Sequence, residues 1–142
     1  MIGITSSFYW FLILFTIICC SQDKTGGLVG TWAVKQIKID NTLSEVDTKN
    51  IVKFEAGGKY SQGQIRNGKI IWSHFNGFWE LKDSLLTIKV STIDETVNVS
   101  KKVKFLSEKK LILLDKEKII RGPNLNTEEK VTLIEYEKIY NY

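Results

Sequence analysis

The stretch that decides the fold is residues 51–75, IVKFEAGGKYSQGQIRNGKIIWSHF. It contains three short β-rich runs, namely Ile51 to Glu55, Tyr60 to Ile65 and Ile70 to Phe75. Gly57-Gly58 separates the first two runs, and Asn67-Gly68 separates the second from the third. Asn-Gly between two β-like runs favours a tight hairpin, because both central residues of that turn must accept positive φ. The stretch therefore predicts antiparallel strands joined by short turns.

Similar runs recur along most of the chain, at the spacing typical of an all-β sandwich or barrel. The six others are Gly30 to Ile39, Phe78 to Leu81, Leu85 to Val90, Thr96 to Leu106, Leu111 to Leu114 and Lys130 to Ile139. Nine strands with so many hairpins predict an all-β fold, a single antiparallel up-and-down barrel of about eight to nine strands, since closure satisfies the outer strands. Such a barrel leaves room for packed side chains or one small ligand.

Three segments interrupt this pattern. We expect Asn76-Gly77 to form a further turn, because Asn-Gly is a hairpin signal. The segment Thr42 to Thr48 is the one plausible place for a helical turn, with Ser44 as its cap. The segment Lys116 to Glu129 holds the single proline and shows no alternation, so we interpret most of it as loop.

The 36 charged side chains, 20 basic and 16 acidic, all lie beyond residue 22. Eighteen of the basic residues are lysines, and only Arg66 and Arg121 are arginines. Nucleic-acid sites favour arginine and exposed aromatic side chains, so this lysine excess indicates a solvated surface. The densest group is Lys101, Lys102, Lys104, Lys109 and Lys110, for which contact with an anionic lipid or glycan is the alternative.

The uncharged N-terminus predicts an export signal. Residues 8–18 are almost entirely apolar and are shorter than the roughly 20 residues of a membrane span. An uncleaved signal anchor is the alternative. The end of this segment, with Ile17, Cys19 and Cys20, resembles the bacterial lipobox, which implies a signal peptide over 1–19, lipidation (a palmitate-type anchor) at Cys20 and a lipidated tether over 20–27. Cysteine suits this role because its thiolate can accept a lipid group as a thioether.

The predicted barrel domain, 28–142, carries short motifs of a known family. Leu28-Val29-Gly30-Thr31-Trp32 at the start of the first strand resembles the lipocalin signature, which implies that Gly30 and Trp32 close one end of the barrel. The order of motifs that follows is similar to that of bacterial lipocalin-like lipoproteins: Phe54, Gly57, Gly58 and Tyr60, then Trp79, Leu81, Lys82 and Asp83. The family's late arginine, which packs over the tryptophan, has no clear counterpart; the last strand offers Lys130 and Lys138.

The candidate ligand-binding residues come from two neighbouring runs. Tyr60, Gln62 and Gln64 share one face of a strand that has no apolar side, so this strand either lies at a frayed edge or turns its glutamines into a hydrated cavity. In an extended run Trp72 shares a face with His74. We expect Trp32 and Trp79, and by default Trp72, to pack in the core.

No residues suggest catalysis, a cofactor or a metal site: the sequence has one histidine and no CxxC pattern. We therefore expect a non-enzymatic protein. The signal segment and the predicted barrel together favour a monomer that is lipid-anchored at the cell envelope, in the outer membrane of a Gram-negative bacterium. We expect it to bind a small apolar or amphipathic ligand and no nucleic acid. A filled barrel acting as a structural or inhibitor-type protein is the second hypothesis. An enzyme built around His74 is the third.

Overall fold

The computed structural model describes residues 24–92, 94–121 and 126–140. The described residues start with a short helix, α1 (Lys24–Leu28), which is followed by nine strands. The strands are β1 (Gly30–Ile39), β2 (Thr42–Ser44), β3 (Asn50–Phe54), β4 (Lys59–Arg66), β5 (Lys69–Lys82), β6 (Leu85–Ser91), β7 (Thr96–Leu106), β8 (Lys110–Arg121) and β9 (Asn126–Ile139).

Antiparallel pairing of successive strands closes the sheet into a barrel. β1 pairs with β3 on one side and with β9 on the other, from Thr31↔Ile139 to Ile39↔Thr132. β2 adds only to the last residues of β1, so the wall of the barrel consists of eight strands, β1 and β3 to β9. This pairing joins the first strand to the last, so neither β1 nor β9 is a free edge of the sheet. The predicted all-β, antiparallel up-and-down barrel is confirmed.

The turn predicted at Asn76-Gly77 is wrong. The chain runs straight through it, so that the two predicted strands on either side form the single strand β5. Gly77 has a different reason to be glycine: a Cβ atom there would lie 2.3 Å from the main-chain oxygen of Lys89 on β6. The glycine therefore permits a close approach of two strands, and not a change of direction.

Two other segments that were expected to be irregular also form strands. The helical turn expected near Thr42 is β2, because Asp40 and Asn41 take positive φ and turn the chain back onto β1. The loop expected over 116–129 is mostly the continuation of β8 and β9. Their ladder extends to Arg121↔Asn126, with a cross-strand ion pair of 2.5 Å between Lys116 and Glu129.

The helix α1 lies at one end of the barrel, which we call the closed end. The tether expected over 20–27 thus becomes helical at Lys24, and Leu28 at the end of the helix is completely buried. Residues 20–23 lie outside the described residues, as does the predicted signal peptide. In the part of the chain described, no helix is long and apolar enough to span a membrane.

Trp32 is the centre of the closed end. Its side chain is completely buried, and its Nε1 donates a hydrogen bond of 2.8 Å to the main-chain oxygen of Leu28. The ammonium of Lys138 on β9 lies 5.1 Å from the centre of the indole ring, a cation–π distance. Lys138 thus supplies the cation over the tryptophan that the lipocalin pattern assigns to an arginine. Gly30 makes room for it, since a Cβ atom there would lie 2.3 Å from Lys138 Cε.

The predicted family motifs meet next to this end. Phe54 contacts Tyr60 and Trp79, with ring centres 5.4 Å and 5.7 Å apart, and the second pair is edge-to-face. Trp79 Nε1 donates to the main-chain oxygen of Glu55 over 3.1 Å, so its polar atom is satisfied. Trp32 and Trp79 are therefore core residues, as predicted.

Candidate ligand-binding cavity

A cavity of about 540 Å³ lies inside the barrel, between the core of the closed end and the opposite, open end. This volume falls in the range of small-molecule sites. Most of its wall is apolar: Val34, Ile51, Val52, Phe54, Gly63, Ile88, Val90, Val99 and Leu113. The polar lining residues are Asn50, Tyr60, Gln62, Lys101 and Tyr136. An apolar wall with a few polar groups is the arrangement that holds and orients a small amphipathic molecule.

The alternation of side chains along each strand builds this wall. On β4, Tyr60 and Gln62 face the cavity, and their partners on β3 are Phe54 and Val52. β4 is hydrogen-bonded to β3 and to β5, so it is not an edge strand. Of the two interpretations of this polar strand, the structure thus supports the one in which Gln62 reaches a cavity.

Two tyrosines form the polar floor of the cavity. Gln62 Nε2 donates to Tyr60 Oη over 2.8 Å. Burial raises the pKa of Tyr60 above its ordinary value, and the bond from Gln62 opposes this only in part. Burial raises the pKa of Tyr136 much further, and the neighbouring Tyr60 adds to the increase. Both phenols therefore stay neutral and can donate or accept hydrogen bonds inside the barrel.

These raised pKa values predict a loss of stability at alkaline pH. The unfolded chain loses the Tyr136 proton near pH 10, whereas the folded protein retains it, so stability is full below pH 10 and falls as the pH rises beyond it. For Tyr136 the loss reaches about 1.4 kcal/mol one pH unit above that point. Urea unfolding of Tyr136→Phe is expected to show a shallower alkaline decline than the wild type.

Tyr140→Phe is the matched control, because the Tyr140 side chain is 65% exposed. It should decline as the wild type does. Tyrosinate absorbance from Tyr136 should likewise develop only as the protein unfolds. Equal alkaline slopes for all three proteins would contradict the burial of Tyr136.

A second group of polar side chains lies at the open end of the barrel, next to the cavity. Gln64 Nε2 donates to Asn50 Oδ1 over 2.9 Å, and Gln64 Oε1 accepts from Arg66 Nε and Nη2 at 3.1 Å and 2.7 Å. These residues and Gln62 line a smaller hollow of about 280 Å³. Gln64, predicted to face a cavity, thus belongs to the rim of the barrel, the exposed Gln62 lines both the rim and the cavity, and the buried Tyr60 lies deeper.

Trp72 and His74 lie apart from the cavity. Trp72 packs on the outside of β4 against Gly63, with its side chain 38% exposed and the Lys53 ammonium 5.8 Å from its ring. His74 is exposed, in the part of β5 where the register with β4 is interrupted between Ser61 and Gly63. Because of that irregularity, the simple alternation that paired the two residues does not hold there.

The dense group of lysines does not form one surface. Lys101 faces the interior and forms an ion pair with Asp115 on β8, and Lys110 pairs with Glu135 at 2.9 Å. That pairing, with a bond from Gln36, lowers the pKa of Glu135 below its ordinary value. Lys102, Lys104 and Lys109 remain exposed.

Lys101 and Tyr136 line the cavity, although neither was predicted from the sequence to be a ligand-binding residue. Alternation alone places Lys101 on the face of Val97, Val99 and Val103, and Tyr136 on the face of Ile134. The position of Lys101 within a run of lysines concealed that signal. Among the described residues, no three His, Cys, Asp or Glu side chains come together as a metal site would require.

An eight-stranded up-and-down barrel with a mostly apolar cavity is the architecture of a class of barrel proteins whose interior can hold one small ligand. Comparison with known families agrees with this class. Residues 28–113 match the lipocalin-like domain, and the chain belongs to that family. The match extends from Leu28 at the closed end to Leu113 in the wall of the cavity. No curated protein matches the chain significantly.

Proposed function

We propose that the protein is a lipid-anchored, non-enzymatic lipoprotein of the bacterial cell envelope whose barrel holds a small apolar or amphipathic ligand. The observation that carries the ligand-binding part is the cavity of about 540 Å³. A barrel filled by its own side chains would leave no such space, because protein interiors are otherwise close-packed. Membership of the lipocalin-like family supports ligand binding in general.

The anchor is supported by the order of the sequence. Cys20, the proposed lipid acceptor, precedes α1 by only four residues, and four residues span at most about 14 Å. A lipid on Cys20 would therefore keep the closed end of the barrel close to the membrane. The open end, at the opposite end of the barrel, would then face away from that membrane and receive ligand from the aqueous side.

Substitution of the acceptor tests the anchor. Cys20→Ala is expected to incorporate no labelled palmitate and to leave the detergent phase, because the acyl chains that hold the protein are absent. Cys19→Ala is the control and should still be lipidated. Continued labelling of the Cys20→Ala variant, or its retention in the detergent phase, would refute lipidation at Cys20.

Photolabelling tests the ligand-binding part. Palmitic acid with a diazirine at mid-chain would be photolysed with the full chain in lipid nanodiscs, and labelled peptides would be identified by mass spectrometry. We expect labelling that unlabelled palmitic acid displaces, in peptides from strands that line the cavity, such as β3, β6 and β8. Labelling that does not saturate, or that occurs only on the outer faces of the strands, would contradict the proposal.

A further inference from the structure

The wall of the barrel is incomplete between β7 and β8. Among the described residues, their ladder covers only Lys102↔Leu114 to Leu106↔Leu111, near the closed end. The two strands continue beyond it with other partners, β7 with β6 as far as Ser91↔Thr96 and β8 with β9 as far as Arg121↔Asn126. β7 and β8 therefore separate after Lys102 and leave a lateral gap, bounded by Thr96–Lys101 and Asp115–Arg121.

Side-chain exposure supports this gap. Val97 and Val99 lie opposite Val90 and Ile88 on β6, so they belong to the inward face of β7. Val97 is nevertheless 40% exposed and Val99 is 36% exposed, whereas Ile88 is only 8% exposed. Apolar side chains that line a cavity and also meet solvent mark an opening in the wall. Val99 is itself part of the cavity lining.

A single ion pair lies at the point where the gap begins. Lys101 is opposite the buried Leu86 on β6, so its side chain starts on the inward face, and it is the one charged residue among the described cavity lining. Its ammonium reaches across to the carboxylate of Asp115, one residue beyond the last β7–β8 pair, and both side chains are largely buried. Asp115 does not line the cavity.

From this arrangement we infer that the lateral gap holds the head group of the ligand, and that the head group is anionic. The inference rests on the proposed ligand-binding function and goes beyond it in naming the class of ligand and its entry. The apolar part of the molecule occupies the cavity, lined by Val52, Ile88 and Leu113. The anionic head lies beside Lys101, whose ammonium has three donors, so that it can bind a second acceptor as well as Asp115.

The test compares two probes with the same acyl chain, the mid-chain diazirine derivatives of palmitic acid, whose head group is anionic, and of its neutral methyl ester. The full chain in nanodiscs is labelled with each, and the acid-to-ester labelling ratio is compared between variants, so that partition of the probes into lipid cancels. Lys101→Met is expected to lower this ratio about tenfold, through loss of a charge-assisted hydrogen bond. Lys102→Met, the next residue on the outer face of β7, is the control and should keep the wild-type ratio.

Asp115→Asn is a second variant and serves if Lys101→Met does not fold. It removes the carboxylate that competes with the probe for the Lys101 ammonium, so the acid-to-ester ratio should rise about threefold or more. If both probes label the cavity of the wild type and neither substitution changes the ratio, the anionic-head inference is wrong while ligand binding stands. If neither probe labels the wild type saturably, the proposed function fails too.

Discussion

Trp32→Ala is expected to lower the free energy of unfolding by about 3–5 kcal/mol, the cost of removing a large buried aromatic side chain from a close-packed core. Trp32 is completely buried, donates to Leu28 and lies beneath Lys138, so its loss removes side-chain contacts that hold α1 and Lys138 at the closed end. A loss of this size is a large part of the stability of an ordinary domain. Urea unfolding followed by circular dichroism measures it.

The same substitution at a different tryptophan is the control. Trp72 is partly exposed on the outside of β4, so Trp72→Ala should cost clearly less than Trp32→Ala, by about 2 kcal/mol or more. Trp32→Phe should fall between the two, since it keeps an aromatic ring but loses the hydrogen bond to Leu28. Equal losses of unfolding free energy from Trp32→Ala and Trp72→Ala would contradict a special contribution of the closed end to the stability of the barrel.

Val99→Trp is expected to reduce saturable labelling by the palmitic acid probe to below about one-tenth of the wild-type level, because the indole occupies space that the ligand needs. Val99 lines both the cavity and the lateral gap, and its partial exposure gives a larger side chain room without overpacking the core. The barrel should therefore remain folded.

Ser100→Trp is the matched control for this prediction. Ser100 is the next residue on β7 and is exposed on the outer face, opposite Thr87. A tryptophan there adds the same side chain to the same strand without entering the barrel, so labelling should stay at the wild-type level. Loss of labelling in both variants would indicate a general effect on the fold, and loss in neither would place the ligand outside the cavity.

The sequence predicted the barrel because its strongest signals are local. Asn67-Gly68 forms the hairpin between β4 and β5 with positive φ at both residues, as expected. Asn76-Gly77 has the same letters and a different role, since Gly77 lies against the main chain of β6. A glycine required for close approach and one required for positive φ are identical in sequence, and only the register of the neighbouring strand distinguishes them.

The site was less predictable, because it depends on which strands pair beyond the hairpins. The polar face of Tyr60 and Gln62 could be recognised, and pairing of β4 on both sides then decided between an edge and a cavity. The alternation of β7 places Lys101 on the inward face, but its positive charge is typical of a surface residue. The ion pair with Asp115 that accommodates it spans two strands, and neither residue predicts the other from sequence.

The most direct test of ligand binding by the barrel is native mass spectrometry of the full chain purified from the cells that express it, with the wild type and Val99→Trp measured side by side. The wild type should carry a non-covalent molecule, distinct from the lipid proposed at Cys20, and this molecule should be missing from Val99→Trp while both spectra retain the charge-state distribution of a folded protein. A wild type without any bound molecule, or the same molecule on both proteins, would contradict a ligand held inside the barrel.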